Sequence, residues 1–367
     1  MHALPRWKDS CMKLLKWKSG VTYFGGQGSQ PVHRFVIPLH EVYLKMISLV
    51  GEETTSLLCN FIKDHVCHSD SPVMIMRARD GLLAKQLLNE NVPYLYLFEK
   101  RKNFKSELGE LTKRFPGRCV VYSRTFNDVF FENSHIPAFN SPYIRTSLPF
   151  KVKKSWKDDP SINVIGSHTN GKVLIVALIH LAKNMMYFGM GRPQFFLTFP
   201  KVHWDKILMD PRTASYQEYQ MAGLLFPDYF DFEVLGSIPP PVSYCTGPVL
   251  TRNTVSKEEF VTVRIAPSKE LEDLSDAKVL EEYLFFGTQT MNGKAKHNIV
   301  IQALEKFAPD SGMELVANGV NCFTKFSDLS PPEALRIFKI WRSSPKYLTS
   351  LFMREYDEYM LYNNVNE

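Results

Sequence analysis

The residues with the clearest potential for chemistry are an acid, Glu99, and a turn formed by Arg79, Asp80 and Gly81. An acid at the end of a buried strand accepts hydrogen bonds from ribose hydroxyls. A glycine-rich turn ahead of it lets the backbone approach a nucleotide cofactor. Here the acid is present, but Arg79 and Asp80 stand where glycines are needed, and only Gly81 remains. The pattern predicts a cofactor-binding architecture whose cofactor chemistry has eroded.

The elements that position these residues can be read from the hydrophobic pattern. Val73–Met76 predicts a short buried strand, which leads into the turn, and Leu82–Leu88 predicts a helix with an apolar face. Tyr94–Phe98 predicts a second buried strand that ends at Glu99. A strand, a turn, a helix and a second strand in this order indicate a parallel unit with its turn and its acid at the same sheet edge.

Strand and helix patterns continue to alternate as far as about Ile265, which predicts a mostly parallel sheet with helices on both faces. Further strands are expected at Cys119–Tyr122, Asn163–Ile165, Gln194–Phe199, Phe232–Leu235 and Phe260–Ile265. Further helices are expected at His40–Leu49, Asn103–Phe115, Val173–Tyr187, Lys201–Leu208 and Ser215–Leu225.

The last hundred residues have a different character. No convincing strand is found, and helical patterns cover Ala277–Phe286, His297–Phe307, Pro332–Ser343 and Pro345–Tyr359. The sequence thus predicts a basic N-terminal segment over residues 1–32, an α/β domain over 33–268, and a small all-helical C-terminal domain over 269–367.

Composition and cysteine use indicate a globular protein of a reducing compartment. The chain has 367 residues with 44% hydrophobic and 22% charged content, and a formal net charge of +6. Six cysteines without pairing rhythm argue against a disulfide framework. Cys59, His65, Cys67 and His68 match no common zinc spacing, so we expect no metal site. No stretch is long enough for a membrane span, the nearest being Val173–Ala182.

The N-terminal segment carries five basic residues against one acid, Asp9, with apolar positions between them. Such a basic, amphipathic start is typical of a mitochondrial presequence, and a solvated basic tail is the alternative. The basic residues are Arg6, Lys8, Lys13, Lys16 and Lys18.

Two further basic groups are candidates for nucleic-acid binding, because cations neutralise phosphates and aromatic rings stack on unpaired bases. One combines four lysines with Trp156, and the other is a glycine-containing connector before an apolar helix; in each case a solvated basic surface is the alternative. The residues are Lys151, Lys153, Lys154, Trp156 and Lys157 in the first group, and Lys294, Lys296 and His297 in the second.

With this order established, the chain resembles the rRNA adenine dimethyltransferase family, and within it the branch of mitochondrial transcription factor B. The resemblance covers roughly residues 33–360. It is carried by the segments HRFVIPLHEVYLKMISLVGE, RDGLLAKQLLNENVPYLYLFEKRKNF, SINVIGSHTNGK and HNIVIQALEKFAPDSGMEL with DLSPPEALRIFKIW, and by the run from FFLTFPKVHWDK to GSIPPP. It implies a Rossmann-like methyltransferase domain with a small all-helical C-terminal domain.

The departures from the family pattern are informative. An active member needs an Asn-Leu/Ile-Pro/Ala-Tyr/Phe loop that holds the extruded adenine, and the corresponding positions here are Ser167, His168, Thr169 and Asn170. The family's cofactor-adenine acid corresponds to Arg124, and a guanidinium only donates. We interpret Arg79, Gly81, Glu99 and Arg124 as a vestigial cofactor site. Arg79 and Arg124 could contact phosphate or, as we favour, pair with Glu99 and Asp80.

The resemblance therefore implies a mitochondrial transcription initiation factor of the matrix and nucleoid. It would be a monomer that binds mitochondrial RNA polymerase and traps the melted non-template strand of promoter DNA without a cofactor. The polar segment Ser167–Lys172 would lie at the cleft mouth, either as a nucleic-acid contact that includes Lys172 or as an ordinary loop. The alternative is an active S-adenosylmethionine-dependent rRNA adenine dimethyltransferase, and a third possibility is an RNA-binding relic of ribosome assembly.

Overall fold

The computed structural model describes residues 46–69, 71–124, 155–168, 191–208, 223, 226–227, 229–246, 254–269, 277–291 and 295–365. The strands in this part of the chain are β1 (Met46–Leu49), β2 (Val73–Ile75), β3 (Leu95–Phe98), β4 (Cys119–Tyr122), β5 (Ile162–His168), β6 (Pro193–Pro200), β7 (Phe230–Ile238), β8 (Val242–Thr246), β9 (Thr254–Ser256) and β10 (Phe260–Pro267). The helices are α1 (Glu52–Val66), α2 (Leu82–Asn89), α3 (Lys105–Arg114), α4 (Lys201–Ile207), α5 (Ala277–Met291), α6 (Val300–Phe307), α7 (Ser311–Ala317), α8 (Pro331–Ser343) and α9 (Leu351–Val365).

The sheet has a seven-strand path in the order β4-β3-β2-β5-β6-β10-β7. The five strands from β4 to β6 pair in parallel, whereas β10 is antiparallel to both β6 and β7. The α/β alternation is as predicted, but the sheet as a whole is mixed rather than mostly parallel, because every strand joined to this parallel core pairs antiparallel. All seven predicted strands are present, with ends that differ by at most three residues. Parallel strands bring their carboxyl ends to one edge, where a ligand cleft forms.

A smaller group of strands joins this sheet at its carboxyl edge. β1 pairs antiparallel with the end of β5 and with β8, and β8 pairs with β9. The helix predicted over His40–Leu49 is wrong at its end, because residues 46–49 form β1 instead. The sequence of residues 46–49, MISL, is compatible with a helix or a strand by its hydrophobic pattern. Pairing with β5 and β8 stabilises the extended conformation.

Both faces of the sheet are covered, so its central strands are buried on alternate sides. Val73, Ile75 and Leu97 pack with α1, α2 and α3 in one hydrophobic cluster. Met74 and Phe98 lie in the opposite cluster, which continues without a break into the C-terminal helices. The helical content of the C-terminal region is as predicted, and α7 is an additional short helix there.

The C-terminal helices are joined by a buried acid, Glu282 on α5. Its side chain is 1% exposed and accepts hydrogen bonds from Arg342 Nε at 2.7 Å and from the Tyr347 hydroxyl at 3.1 Å. A buried carboxylate needs such compensation.

The predicted helices Val173–Tyr187 and Ser215–Leu225 lie wholly or mostly outside the described residues. No helix among the described residues is long and apolar enough to cross a membrane.

We expect Arg342→Ala to lower the free energy of unfolding by about 1–3 kcal/mol, because it leaves the Glu282 carboxylate with one hydrogen bond instead of two. Urea unfolding followed by circular dichroism measures the change. Arg336→Ala on the same helix is a matched control, since Arg336 donates only to the carbonyl of Asn318 on the surface. Equal effects of the two substitutions would contradict the role of Glu282.

Burial and the neighbouring Glu282 raise the pKa of Tyr347 above its ordinary value. The folded state therefore keeps this proton at a pH where the unfolded state has lost it, and stability falls as the pH rises beyond about 10. We expect Tyr347→Phe to flatten this alkaline decline, measured as unfolding free energy between pH 8 and 11. An unchanged slope would show that the group does not titrate with unfolding.

Candidate cofactor cleft

In the turn after β2, a residue other than glycine adopts a backbone conformation that favours glycine. Arg79 has φ 51°, in the left-handed region that favours glycine. Gly81 has φ 76°, and a Cβ there would lie 3.0 Å from Leu108 Cδ2 on α3. Gly81 is thus required both by its backbone and by helix packing, whereas the conformation at Arg79 is adopted at a cost of about 1 kcal/mol.

The carboxylate of Glu99, at the end of β3, is already fully bonded. The residue is 5% exposed. Its Oε2 accepts from the backbone N–H of Arg79 at 2.9 Å and from Arg101 Nη2 at 2.5 Å. Its Oε1 accepts from the backbone N–H of Arg101 at 2.9 Å and from Arg101 Nε at 2.6 Å. A ribose hydroxyl would have to displace one of these donors to reach the acid.

Arg101 was not among the predicted site residues, and it holds the position that we assigned to Arg79 or Arg124. Its side chain is 8% exposed and lies 4.7 Å from the centre of the Phe104 ring. Arg79 instead brings its Nη1 to 3.6 Å from Asp80 and its guanidinium to 5.7 Å from the same ring. The predicted internal ion pairing thus holds for Arg79 with Asp80 but is wrong for Glu99, whose ionic partner is Arg101. An arginine two residues after a strand-end acid is the signal that could have identified this pair.

Arg124 lies just beyond β4, whose Tyr122 carbonyl accepts from the backbone N–H of Glu99 at 2.9 Å. It is therefore at the same sheet edge as the acid, as predicted. The carboxylate of Glu99 has its side-chain partner in Arg101 and not in Arg124.

The end of β5 is strand where a loop was expected. Ser167 and His168 are 9% and 1% exposed and pair with Ile47 and Met46 of β1. β2 pairs with β5 only as far as Ile165, and β6 occupies the other side of Ser167. β1 therefore pairs with β5 on the same side as β2, beyond the carboxyl end of β2. Thr169, Asn170 and Lys172 lie outside the described residues.

Side chains fill the space between these strands. A Cβ at Gly166 would lie 2.5 Å from Met76 Sδ, so the Met76 side chain packs directly on the β5 backbone. A cavity of about 40 Å³ remains between β1, the turn after β2 and the end of β5. This is room for about three water molecules.

The residues predicted to bind nucleic acid differ in their exposure to solvent. Trp156 is 8% exposed and its Nε1 donates to the Ser268 carbonyl at 3.1 Å, so its ring is a core element rather than an open stacking surface. Lys157 is exposed, as a phosphate contact requires, but Lys296 is 8% exposed and burial lowers its pKa. Lys151, Lys153, Lys154 and Lys294 lie outside the described residues.

The cysteines of the group at the end of α1 are a buried thiol and a thiol that donates a hydrogen bond to a backbone carbonyl. Cys59 is buried, which raises its pKa to about 11, and Cys67 Sγ donates to the Glu90 carbonyl at 3.0 Å. A protonated thiol is a poor metal ligand. Among the described residues, no group of three or more potential ligands converges on a metal position.

We expect Arg101→Ala to destabilise the protein by about 3–5 kcal/mol, because it leaves a buried carboxylate without its counter-ion. Urea unfolding measures this loss. Arg114→Ala is the matched control, since Arg114 stacks on Phe115 at 5.4 Å on an exposed helix face and should cost less than about 1 kcal/mol. A loss below 1 kcal/mol for Arg101→Ala would contradict the assignment.

Known proteins resemble the chain in sequence and in fold. No family model matches the chain. The chain is 21% identical over 364 residues to the mitochondrial dimethyladenosine transferase 2 of Drosophila melanogaster, which covers 85% of this chain and 79% of the relative. Among solved structures, a dimethyladenosine transferase from Plasmodium falciparum superposes with a TM-score of 0.50 at 12% identity, covering 79% of this chain and 95% of that one. A 23S rRNA methyltransferase gives a TM-score of 0.48 at 15% identity, covering 80% and 99%.

Proposed function

We propose that the chain is a member of the rRNA adenine dimethyltransferase family and acts as a mitochondrial transcription initiation factor that binds nucleic acid without methylating it. It would assist mitochondrial RNA polymerase in melting promoters, as a monomer in the matrix and nucleoid. The mitochondrial relative supports the location. The bonded state of Glu99 supports the loss of catalysis.

The cleft does not fit S-adenosylmethionine. A ribose needs a free acceptor, and both carboxylate oxygens of Glu99 are bound by Arg101 and by backbone N–H groups. The cofactor's backbone approach needs a small residue where Arg79 stands. The cavity at this edge has a volume of about 40 Å³, which is room for about three water molecules. We therefore assign no methyl-transfer step to this site.

Promoter melting needs no catalysis, because a protein that binds only the melted strand shifts the equilibrium by its differential affinity. Phosphate contacts and stacking give this affinity with little sequence readout. Lys157 is the exposed cation of the first basic group within the described residues. The other proposed contacts in that group are Lys151, Lys153 and Lys154, to which Lys172 and Lys294 are added.

The alternative, an active S-adenosylmethionine-dependent rRNA adenine dimethyltransferase, is favoured by two retained features. These are the strand order of the sheet and the acid at the end of β3. It would require Arg101 to release Glu99 when the cofactor binds.

Run-off transcription with mitochondrial RNA polymerase tests the proposal. We expect the chain to stimulate a linear promoter template several-fold more than a template that is already melted around the start site, because it acts on melting alone. The triple variant Lys151→Ala, Lys153→Ala and Lys154→Ala should lose this difference, and Lys257→Ala, an exposed lysine of the β9–β10 turn, should keep it. Equal stimulation of both templates would overturn the proposal.

Calorimetry with S-adenosylmethionine addresses the alternative separately. We expect no saturable heat, since the ribose acceptor is taken. Micromolar binding together with N6-dimethylation of a small-subunit rRNA hairpin would establish the enzyme instead.

A further inference from the structure

The small cavity at the carboxyl edge has six polar residues among the fifteen that line it. It lies between β1, the turn before α2 and the end of β5, and its volume is about 40 Å³. Its polar lining consists of Ser48, Thr55, Arg77, Arg79, Asp80 and Ser167. A cavity left only by imperfect packing is apolar and stays dry. This one can hold a small polar ligand.

Two of these lining groups are buried without a hydrogen-bond partner. Ser48 is 7% exposed and its Oγ has no partner, although it lies on a strand paired on both sides. Nε of Arg79 is likewise buried and unpaired. Thr55 differs, since its hydroxyl donates to the Gly51 carbonyl at 2.7 Å. An unmet buried donor costs about 1–3 kcal/mol, so a ligand that accepts from both would recover that energy.

The amino end of α2 adds donors on the same side. Leu82 and Leu83 of its first turn line the cavity. The Leu82 N–H donates to Asp80 Oδ1 at 3.3 Å, and the next N–H groups of a first turn have no partner within the helix. These groups and the helix dipole favour an acceptor with negative charge.

The charged side chains that line the cavity favour a ligand of negative charge. Arg77 and Arg79 bring two positive charges to the lining, and Asp80 brings one negative charge. Asp80 already faces Arg79 Nη1 at 3.6 Å and caps Leu82, so its oxygens are turned to groups of the turn itself. Two guanidinium groups against one carboxylate give the described lining a formal charge of +1, and several donors face a space for one small group. That combination matches a tetrahedral oxyanion.

We propose that this cavity is a binding site for a single phosphate group, supplied either by inorganic phosphate or by the terminal phosphate of a nucleic-acid strand. Arg79 Nε and Ser48 Oγ donate to its oxygens, with the first turn of α2 beside them. The site is independent of the role in transcription, because it requires only this pocket and no polymerase. Its failure would leave the promoter-melting proposal untouched, and the converse also holds.

Isothermal titration of the full chain with sodium phosphate at constant ionic strength tests the site, with sodium acetate as the planar-anion control. We expect saturable phosphate binding and much weaker acetate binding. Arg79→Gly should lower the phosphate affinity about tenfold or more, because it removes a charged donor. Ser48→Ala should lower it about threefold, as expected for a neutral donor.

Control variants separate the ligand effect from effects on folding and net charge. Arg79→Gly suits the φ of 51°, so its melting temperature should equal or exceed that of the wild type. Asn91→Gly, at another left-handed position with φ 67°, controls for this backbone effect and should keep phosphate binding. Lys257→Ala, which lowers the net charge away from the cavity, should keep it as well.

Competition between short oligonucleotides with a 5′-phosphate and with a 5′-hydroxyl identifies the source. If the phosphorylated strand displaces inorganic phosphate and the hydroxyl strand does not, the ligand is a nucleic-acid terminus. If neither strand displaces it, the ligand is the free anion. Absence of saturable phosphate binding, or wild-type affinity in both Arg79→Gly and Ser48→Ala, would overturn the proposal.

Discussion

The carboxylate of Glu99 imposes the constraint on which the rest of the cleft depends. A buried charge is costly unless hydrogen bonds and a counter-ion compensate it. Four donors meet this need, two from the guanidinium of Arg101 and two from backbone N–H groups. They tie the end of β3 to the turn after β2 and to the segment before α3. The same contacts that hold this edge together remove the acceptor that a ribose would use.

Other contacts at this edge exclude a ligand by filling space. Met76 packs against the backbone of Gly166, and β1 continues the edge of β5 beyond the end of β2. In an open α/β sheet, the crevice outside the carboxyl ends of the strands is where ligands bind. Here much of that crevice is occupied by the protein's own strand and side chains. The described residues keep a Rossmann-like methyltransferase fold and leave a small cavity at this edge.

The stability of the scaffold does not depend on this edge alone. Tyr229, the residue before β7, stacks on Tyr283 of α5 with ring centres 6.2 Å apart. From there an aromatic cluster around Phe338 and Trp341 continues through the C-terminal helices. Aromatic pairs of this kind contribute beyond the area that they bury. Because this core is continuous, the sheet and the C-terminal helices are held together by one hydrophobic cluster.

The sequence by itself determined the alternating strands and helices, the helical C-terminal region, and the position of Gly81 and Glu99 at one sheet edge. These follow from hydrophobic periodicity and turn chemistry, which are local. The partner of Glu99, the strand state of residues 46–49 and 167–168, and the burial of Trp156 were decided only by the tertiary structure. Each depends on groups distant in the chain or on how a side chain folds back: Ile47 pairs with Ser167, Trp156 donates to Ser268, and Arg101 turns onto Glu99. The sequence gives residue types and their spacing. It does not specify which donor forms a hydrogen bond with a buried carboxylate, because that depends on the three-dimensional arrangement.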